Sequence, residues 1–547
     1  MIKRAFWVTS MILFTFFYSC KSDIKTSIGS NDIPTADLNK EDIVVYLEEL
    51  ASDAYEGRRP FTNGEKKTVA YIENEFKKMG LKPANGNSYF QDVPLVEITG
   101  KPGDVMTFHS PKGKLELNNG DDYVLHTQRA AEELSLNKSE LVFCGFGTVD
   151  PARNWDDYAG IDMKGKTAVI LVNDPGFGGE DPDFFTGDIM TYSGRWTYKY
   201  EEADRQGADA VILIHETTSA GYPWFVIKSS WAGTMLELDR AADADDCALK
   251  GWISLPKAKA LFESVGLDIA EQIRNARKPG FKPLPLNATV DATLTNKVKK
   301  DVTKNVIGYI EGSTHPDEYV IYTAHWDHLG IGAPVEGDSI YNGALDNASG
   351  TATIMAIAKT FTKVKPKRSV VFAMVTAEEQ GLFGSQYYAE HPLFPLAKTV
   401  ANINMDGVNP MGEMNDVTAL GYGLSSLDII LDEEAKKQGR YVQGDQEPEK
   451  GYYYRSDHFS FAKQGIPAIY AGGSADHKEK GKAYAKEFNK DYNAKYYHQP
   501  SDEYDPDTWN YDGMLQDGQL YLNIGLRLAN TNFWPEWNSK SEFQRKK

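Results

Sequence analysis

The sequence predicts an α/β fold, a mostly parallel sheet with helices packed on it, interrupted by an inserted β-rich module. Three observations predict it. From residue 305 onward short apolar strands alternate with helical stretches, the pattern of a largely parallel sheet. Several of these strands end at a histidine or a carboxylate, and such sheets bind ligands at the carboxyl ends of their strands. Between residues 96 and 292 the alternation gives way to short β-rich runs separated by turn residues, with no cluster of His and carboxylates.

The chain starts with Lys3 and Arg4, followed by an apolar run over 5–18. That run is too short to span a bilayer and fits a secretory signal. Ser19-Cys20 resembles a bacterial lipoprotein cleavage site, with Cys20 as the lipidated residue and 1–20 as the signal. Phe17 and Tyr18 are bulkier than that site prefers, which leaves plain secretion open. Either way the mature protein is expected to be exported, to the periplasm or outer membrane as a lipoprotein, or otherwise secreted. Membrane contact is expected only through the lipid anchor. A polar linker fills 21–40. A short helix is predicted over 41–51. A longer one has Asn63 as its N-cap, Val69, Ile72, Phe76 and Met79 on one face, and Gly80 as its stop. Residues 41–95 thus form the first part of the main domain, 96–292 the insert and 293–535 the second part.

In the insert, strands are predicted over 140–146, 167–172 and 211–214. In the second part they are predicted over 319–324, 369–376, 400–405 and 466–470, with helices over 351–361 and 518–528. The end of the chain, 536–547, is expected to be a solvated tail.

Composition narrows the function. The chain has 547 residues, 41% hydrophobic and 25% charged, the profile of a folded soluble protein. With 59 basic and 78 acidic residues its net charge is −19, which excludes a general binder of nucleic acid, itself a polyanion. The three cysteines are too few for a disulfide scaffold or a Cys-based zinc module. In an exported protein Cys144 and Cys247 are either paired or two unlinked buried thiols.

Five residues stand out as metal ligands: His325, Glu379 and Asp406 at strand ends, Asp346 before a helix, and His498 in the run Tyr496-Tyr497-His498-Gln499-Pro500. Imidazole nitrogen and carboxylate oxygen suit zinc and similar divalent ions. Two His with three carboxylates suit two ions and one bridging carboxylate. The single positive charge left over would be neutralised by a bound hydroxide. Taken singly, each has an ordinary explanation, for example Asp346 as a helix cap. Their joint occurrence, with several at successive strand ends of one α/β unit, argues for a metal centre.

These segments resemble a known family. Thr323-Ala324-His325-Trp326-Asp327-His328 looks like the His-x-Asp motif of the secreted di-zinc aminopeptidases, and Gly343-Ala344-Leu345-Asp346-Asn347-Ala348-Ser349-Gly350 like their bridging-aspartate loop. Thr376-Ala377-Glu378-Glu379-Gln380-Gly381, Asn404-Met405-Asp406 and Tyr497-His498-Gln499-Pro500-Ser501-Asp502 follow in the family's order, and Glu56-Gly57-Arg58 resembles its N-terminal segment. The insert is similar to a protease-associated domain, an arrangement shared with glutamate carboxypeptidase II and transferrin receptor relatives. The resemblance implies a zinc-peptidase fold and two divalent ions, most simply Zn2+. Asp346 would bridge them, with His325 and Asp406 on one and Glu379 and His498 on the other. It implies that Glu378 is the general base toward the bridging water. Asp327 would bond the far nitrogen of His325, and Tyr497, with Tyr496 and Tyr454 as alternatives, would donate to the oxyanion. Asp457, His458 and His328 are read as support, not ligands.

The expected function is therefore an exported metallo-aminopeptidase acting on peptides. The alternative is a carboxypeptidase or dipeptidase on the same scaffold, which would need a cationic pocket; Arg455 is the nearest candidate. A glutaminyl cyclase fits the Asp346–Gly350 loop less well, and a receptor-like binding protein would not need the intact Glu378.

Overall fold

Strands that end at His325, Val375 and Asn404 lie side by side in a computed structural model, which describes residues 33–240, 246–539 and 541–545. The expected signal, with Cys20 as the expected lipidated residue, and most of the 21–40 linker lie outside the described residues. The strand His315–His325 is central. It is parallel to Arg368–Val375 on one side and to Thr399–Asn404 on the other, and Thr399–Asn404 is parallel to Ala468–Gly472. Leu284–Ile310 closes one flank antiparallel to Arg368–Val375, and Asp416–Leu420 continues the other flank antiparallel to Ala468–Gly472. This is the expected α/β class. Arg368–Val375 and Thr399–Asn404 are buried along their whole length, as parallel strands covered on both faces must be.

Helices Lys40–Leu50, Ser349–Phe361 and Tyr511–Asn530 pack on the sheet in one apolar core with Ile43, Leu47, Ile354, Ile357, Leu520 and Ile524. Asn63–Met79 is capped by the Thr62 side chain, one residue before the expected cap, and Gly80 ends it in the left-handed region as expected. No helix of the described residues is long and apolar enough to cross a membrane.

The chain leaves and re-enters this domain through one antiparallel ribbon, with Phe90–Pro102 pairing residue for residue with 294–306 of the long strand Leu284–Ile310. Residues 96 and 292, where the insert was expected to begin and end, fall in these two strands. The insert has its own apolar clusters. It is β-rich, and it also holds a parallel layer, Glu133–Phe143, Lys166–Leu171, Ala210–His215 and Leu249–Ser254, with helix Trp196–Arg205 against it. Cys144 and Cys247 are both free and buried. Phe143 pairs with Val169, Val169 with Ile212 and Ile212 with Gly251, so two strands separate the two cysteine-bearing edges. At ~4.8 Å per strand step this exceeds the reach of a disulfide.

The expected solvated tail is corrected. Trp537 and Phe543 are buried with Met190, Tyr453, Tyr454 and Phe459. The Trp537 indole donates to Gly465 O at 2.9 Å, and the Arg545 guanidinium donates to Thr399 O and Val400 O. The few apolar residues among many polar ones hid a segment anchored by two aromatic rings.

Candidate active site

All five candidate ligands converge at the carboxyl edge of the sheet. His325 is the last residue of its strand and pairs with Val375, so Glu378 and Glu379 emerge beside it. Asp406 follows Asn404, which is paired with Thr323. Asp346 lies in the turn before helix Ser349–Phe361, and His498 follows helix Gly481–Lys495. Strand register therefore brings together groups far apart in the chain.

Asp346 faces both sides. Its Oδ1 lies 3.4 Å from His325 Nε2 and its Oδ2 3.3 Å from His498 Nε2. On the first side Asp406 Oδ1 is 3.1 Å from His325 Nε2, and on the second Glu379 Oε2 is 2.9 Å from His498 Nε2. Glu378 Oε2 is 3.9 Å from His325 Nε2, and ligand atoms of His325, Glu378 and Asp406 could share one ion, as could those of His325, Asp346 and Glu379. No side chain of the insert joins such a group among the described residues.

The donor set fits divalent cations. Asp327, Asp346, Glu378, Glu379, Asp406, Asp457 and Asp502 crowd one buried region, and so much negative charge out of water is costly unless cations offset it. The strain shows in their proton affinities. The Glu378 carboxyl is held above the usual range, by burial first and then by Asp406, Glu379 and Asp457 against the opposing pull of His325. Burial pushes Asp327 up to about 8, with Glu379 adding to it and His325 opposing.

The loops are held from behind. The Asn347 side-chain amide donates to Met405 O at 2.9 Å, and its carbonyl accepts from the Gly350 and Gly407 amides at 3.0 Å each, joining the Asp346 loop to the Asp406 loop. Asp502 accepts the amides of Leu345 and Asp346 and the hydroxyl of Tyr492, each at 3.1 Å. Tyr470 donates to Asp406 O at 2.6 Å. His328 Nδ1 lies 2.5 Å from Glu379 Oε1, and neither His328 nor His498 belongs to the two candidate ligand groups.

One expected contact differs. The far nitrogen of His325 meets the main-chain carbonyl of Asp327 at 3.1 Å, whereas the Asp327 carboxylate is 3.9 Å away. That carboxylate accepts the Glu378 amide instead, at 3.1 Å, so it fixes the start of the Glu378-Glu379 segment. The turn after the strand carries the Asp327 carbonyl round to the ring before its side chain can reach. Among the tyrosines, Tyr454 is committed elsewhere, its hydroxyl donating to Met190 O and Glu542. Tyr497 stacks on His498 with ring centroids 3.9 Å apart and is 45% exposed, at the mouth of the site. The supporting roles of Asn347 and Asp502 lay inside recognisable segments, but only the fold shows which amides they hold.

Residues 305–522 match the family model described as Peptidase family M28, which bears out the resemblance read in the sequence. Among curated proteins, the chain is 36% identical over 138 residues to the aminopeptidase NAALADL1 of Mus musculus, 23% of this chain and 17% of that protein. It is 25% identical over 516 residues to a glutamate carboxypeptidase 2 homolog of Caenorhabditis elegans, 80% of this chain and 60% of that protein. The chain thus spans less than two thirds of the length of these relatives. Among solved structures it aligns with an aminopeptidase from Aneurinibacillus sp. strain AM-1, with a TM-score of 0.47 and 20% identity over 91% of this chain and 95% of that one.

Proposed function

We propose that this chain, M28-type over residues 305–522, is an exported metallo-aminopeptidase that hydrolyses the N-terminal bond of peptides at a centre of two divalent ions, zinc first among them. The carrying observation is the divided carboxylate of Asp346, one oxygen toward His325 and Asp406, the other toward His498 and Glu379. When bound, the ions would supply Lewis-acid polarisation of the scissile carbonyl and acidify the attacking water.

The chain's own groups do the rest. Glu378 takes the proton of the attacking water and returns it to the departing amine nitrogen, a role suited to a carboxyl held above its usual range. Tyr497 is the group at the mouth whose hydroxyl is available for the oxyanion. Carboxylates in excess of the ligand set, Asp327, Glu378, Asp457 and Asp502, favour a substrate that brings a free α-ammonium.

A second reading, a carboxypeptidase or dipeptidase, is favoured by one observation. Arg195 of the insert approaches Arg455 of the main domain, its Nε is buried without a hydrogen-bond partner, and neither arginine has an ion pair among the described residues. Such a pair suits a substrate carboxylate. The test is metal analysis together with hydrolysis of an unblocked aminoacyl chromogenic amide and of an N-blocked dipeptide with a free carboxylate. We expect two equivalents of zinc and turnover of the first substrate. Turnover of only the second would reverse the choice, and fewer than two ions after reconstitution would remove the two-ion centre. Glu378→Gln should keep its metal and lose ~10²–10⁴ in kcat, while Glu379→Gln should lose metal. The reverse pattern would exchange the two roles.

Export and a lipid anchor at Cys20 belong to the same proposal and rest on the apolar run over 5–18. Membrane attachment unchanged in Cys20→Ala would remove the anchor.

A further inference from the structure

The turn Asp53–Arg58 contributes no ligand, yet it is built as a tie between two ligand loops. Glu56, Gly57 and Arg58 all have positive φ, 52°, 65° and 53°, a run that non-glycine residues seldom adopt and that marks functional sites when the surroundings enforce it. A Cβ on Gly57 would lie 2.4 Å from Tyr341 O and 2.7 Å from Gly330 O. The turn is therefore wedged against both strands of the hairpin that separates His328 from Asp346, Gly330–Val335 and Asp338–Tyr341.

The wedge delivers Arg58 into the interior, where it is 1% exposed. Its Nε donates to Trp326 O at 2.9 Å, its Nη1 to Leu50 O at 2.7 Å and Asn342 O at 2.6 Å, and its Nη2 to Gly343 O at 2.8 Å. Trp326 sits between His325 and Asp327, and Asn342-Gly343 leads into Asp346. The Asn342 side chain also donates to Asp53 Oδ1 at 2.8 Å, a second tie from the same turn. No carboxylate forms an ion pair with Arg58 among the described residues. The charges acting on it most are those of Asp327, Asp502, Asp346 and Glu379, all of them at the site. A buried cation without a direct counter-ion is costly, so its compensation is the acidic centre itself.

We infer that Arg58 is a positioning residue of the metal centre: its guanidinium fork locks the His325 loop to the Asp346 loop and so sets the spacing of the ligands. The inference rests on the metal-centre reading above. Lysine cannot substitute, because one ammonium cannot reach carbonyls in the directions that a planar five-donor fork does.

The experiment compares wild type, Arg58→Lys and Glu56→Ala for zinc affinity, by competition with a chelator, for Tm with and without zinc, and for kcat and KM at saturating zinc. Arg58→Lys should bind zinc ~10–100-fold more weakly, the range for groups that orient ligands. Its kcat should fall with KM for a small aminoacyl amide within about twofold. A merely structural arginine would lower Tm equally with and without zinc and leave the affinity of the folded protein unchanged. That outcome overturns the inference. Should Arg58→Lys fail to fold, Glu56→Ala decides. Glu56 bonds Asn63 and Lys67 from a partly exposed position, so the variant loosens the turn without emptying the core. It should weaken zinc binding about threefold, and wild-type affinity there overturns the inference. If wild type itself binds no zinc, the metal-centre reading fails and carries this one with it. Tight wild-type binding beside an unaffected Arg58→Lys sinks the positioning role alone.

Discussion

At the scale of single residues, His458 is the clearest source of acid sensitivity. Its ring lies between those of Tyr453 and Tyr470, at centroid distances of 4.8 and 5.3 Å, and neither nitrogen makes a well-formed hydrogen bond among the described residues. Burial holds its pKa down to about 3. Because this lies below the ordinary value near 6.5, the unfolded chain takes up the proton first as the pH falls. Stability is therefore present above about 6.5 and is lost on the way down toward 3, at up to ~1.4 kcal/mol per pH unit from this group. Asp457 pulls the other way: burial pushes its carboxyl up to about 7, so between the ordinary value near 3.9 and about 7 the unfolded chain gives up the proton first and stability falls as the pH rises. The informative measurement is thus a comparison. Denaturant midpoints of wild type and His458→Phe between pH 7 and pH 4 should diverge, with the variant losing less on acidification. Parallel curves would mean that the imidazole has found a partner that stabilises its cation.

At the scale of elements, the start of helix Ser349–Phe361 shows how a glycine can matter against its propensity. Alanine would gain ~1 kcal/mol of helix propensity at position 350. Its Cβ, however, would lie 2.2 Å from Asn347 Oδ1 and 2.8 Å from Met405 O. Overpacking of that kind costs ~1–3 kcal/mol, and displacing the Asn347 amide leaves buried groups of Gly350, Gly407 and Met405 unpaired at ~1–3 kcal/mol each. The losses win, so Gly350→Ala should unfold at lower denaturant and bind zinc more weakly; a variant more stable than wild type with full zinc content would refute the packing argument. Elements like this one were legible because strand periodicity and strand-end His and carboxylates coincide, which pointed to His325, Glu379 and Asp406, while Asp346 and His498 came from the loop segments that resemble the family. Helix Gly481–Lys495 was not legible, because its stripe of Tyr484, Ala485 and Phe488 is short, only Ala485 is fully buried, and lysines and other polar residues surround it. Helix Trp196–Arg205 was hidden by its short length and its run of Trp, Thr and Tyr. What periodicity cannot encode is main-chain partnership, and so the carbonyl of Asp327 rather than its carboxylate on His325, and the four carbonyls on Arg58, had to come from the fold.

At the scale of the whole molecule, the C-terminal segment holds the insert and the main domain together. The Glu542 carboxylate accepts from the Tyr192 amide of the insert at 2.8 Å and from the Tyr454 hydroxyl of the main domain at 3.0 Å. Trp537 and Phe543 fill the cluster beneath them, and Arg545 fastens the far end to the strand Thr399–Asn404. Truncating a buried aromatic costs ~3–5 kcal/mol, so a chain that stops at Pro535 should lose several kcal/mol and melt well below the full-length protein. The functional consequence follows from where the segment presses. Tyr454 leads directly into Arg455 and Asp457, and Tyr192 leads into Arg195, so the strap braces the place where Arg195 of the insert approaches Arg455 of the main domain. On the peptidase reading proposed above, a single-residue amide would need only the metal centre, whereas a longer peptide would extend toward this contact. In the shortened chain KM should therefore rise for peptides by more than it does for an aminoacyl amide, with kcat for the amide little changed. Melting curves and paired KM values for the two substrates check this. A shortened chain with the wild-type Tm would return the segment to solvent, as its polar composition first suggested, and equal KM changes for both substrates would confine its effect to stability.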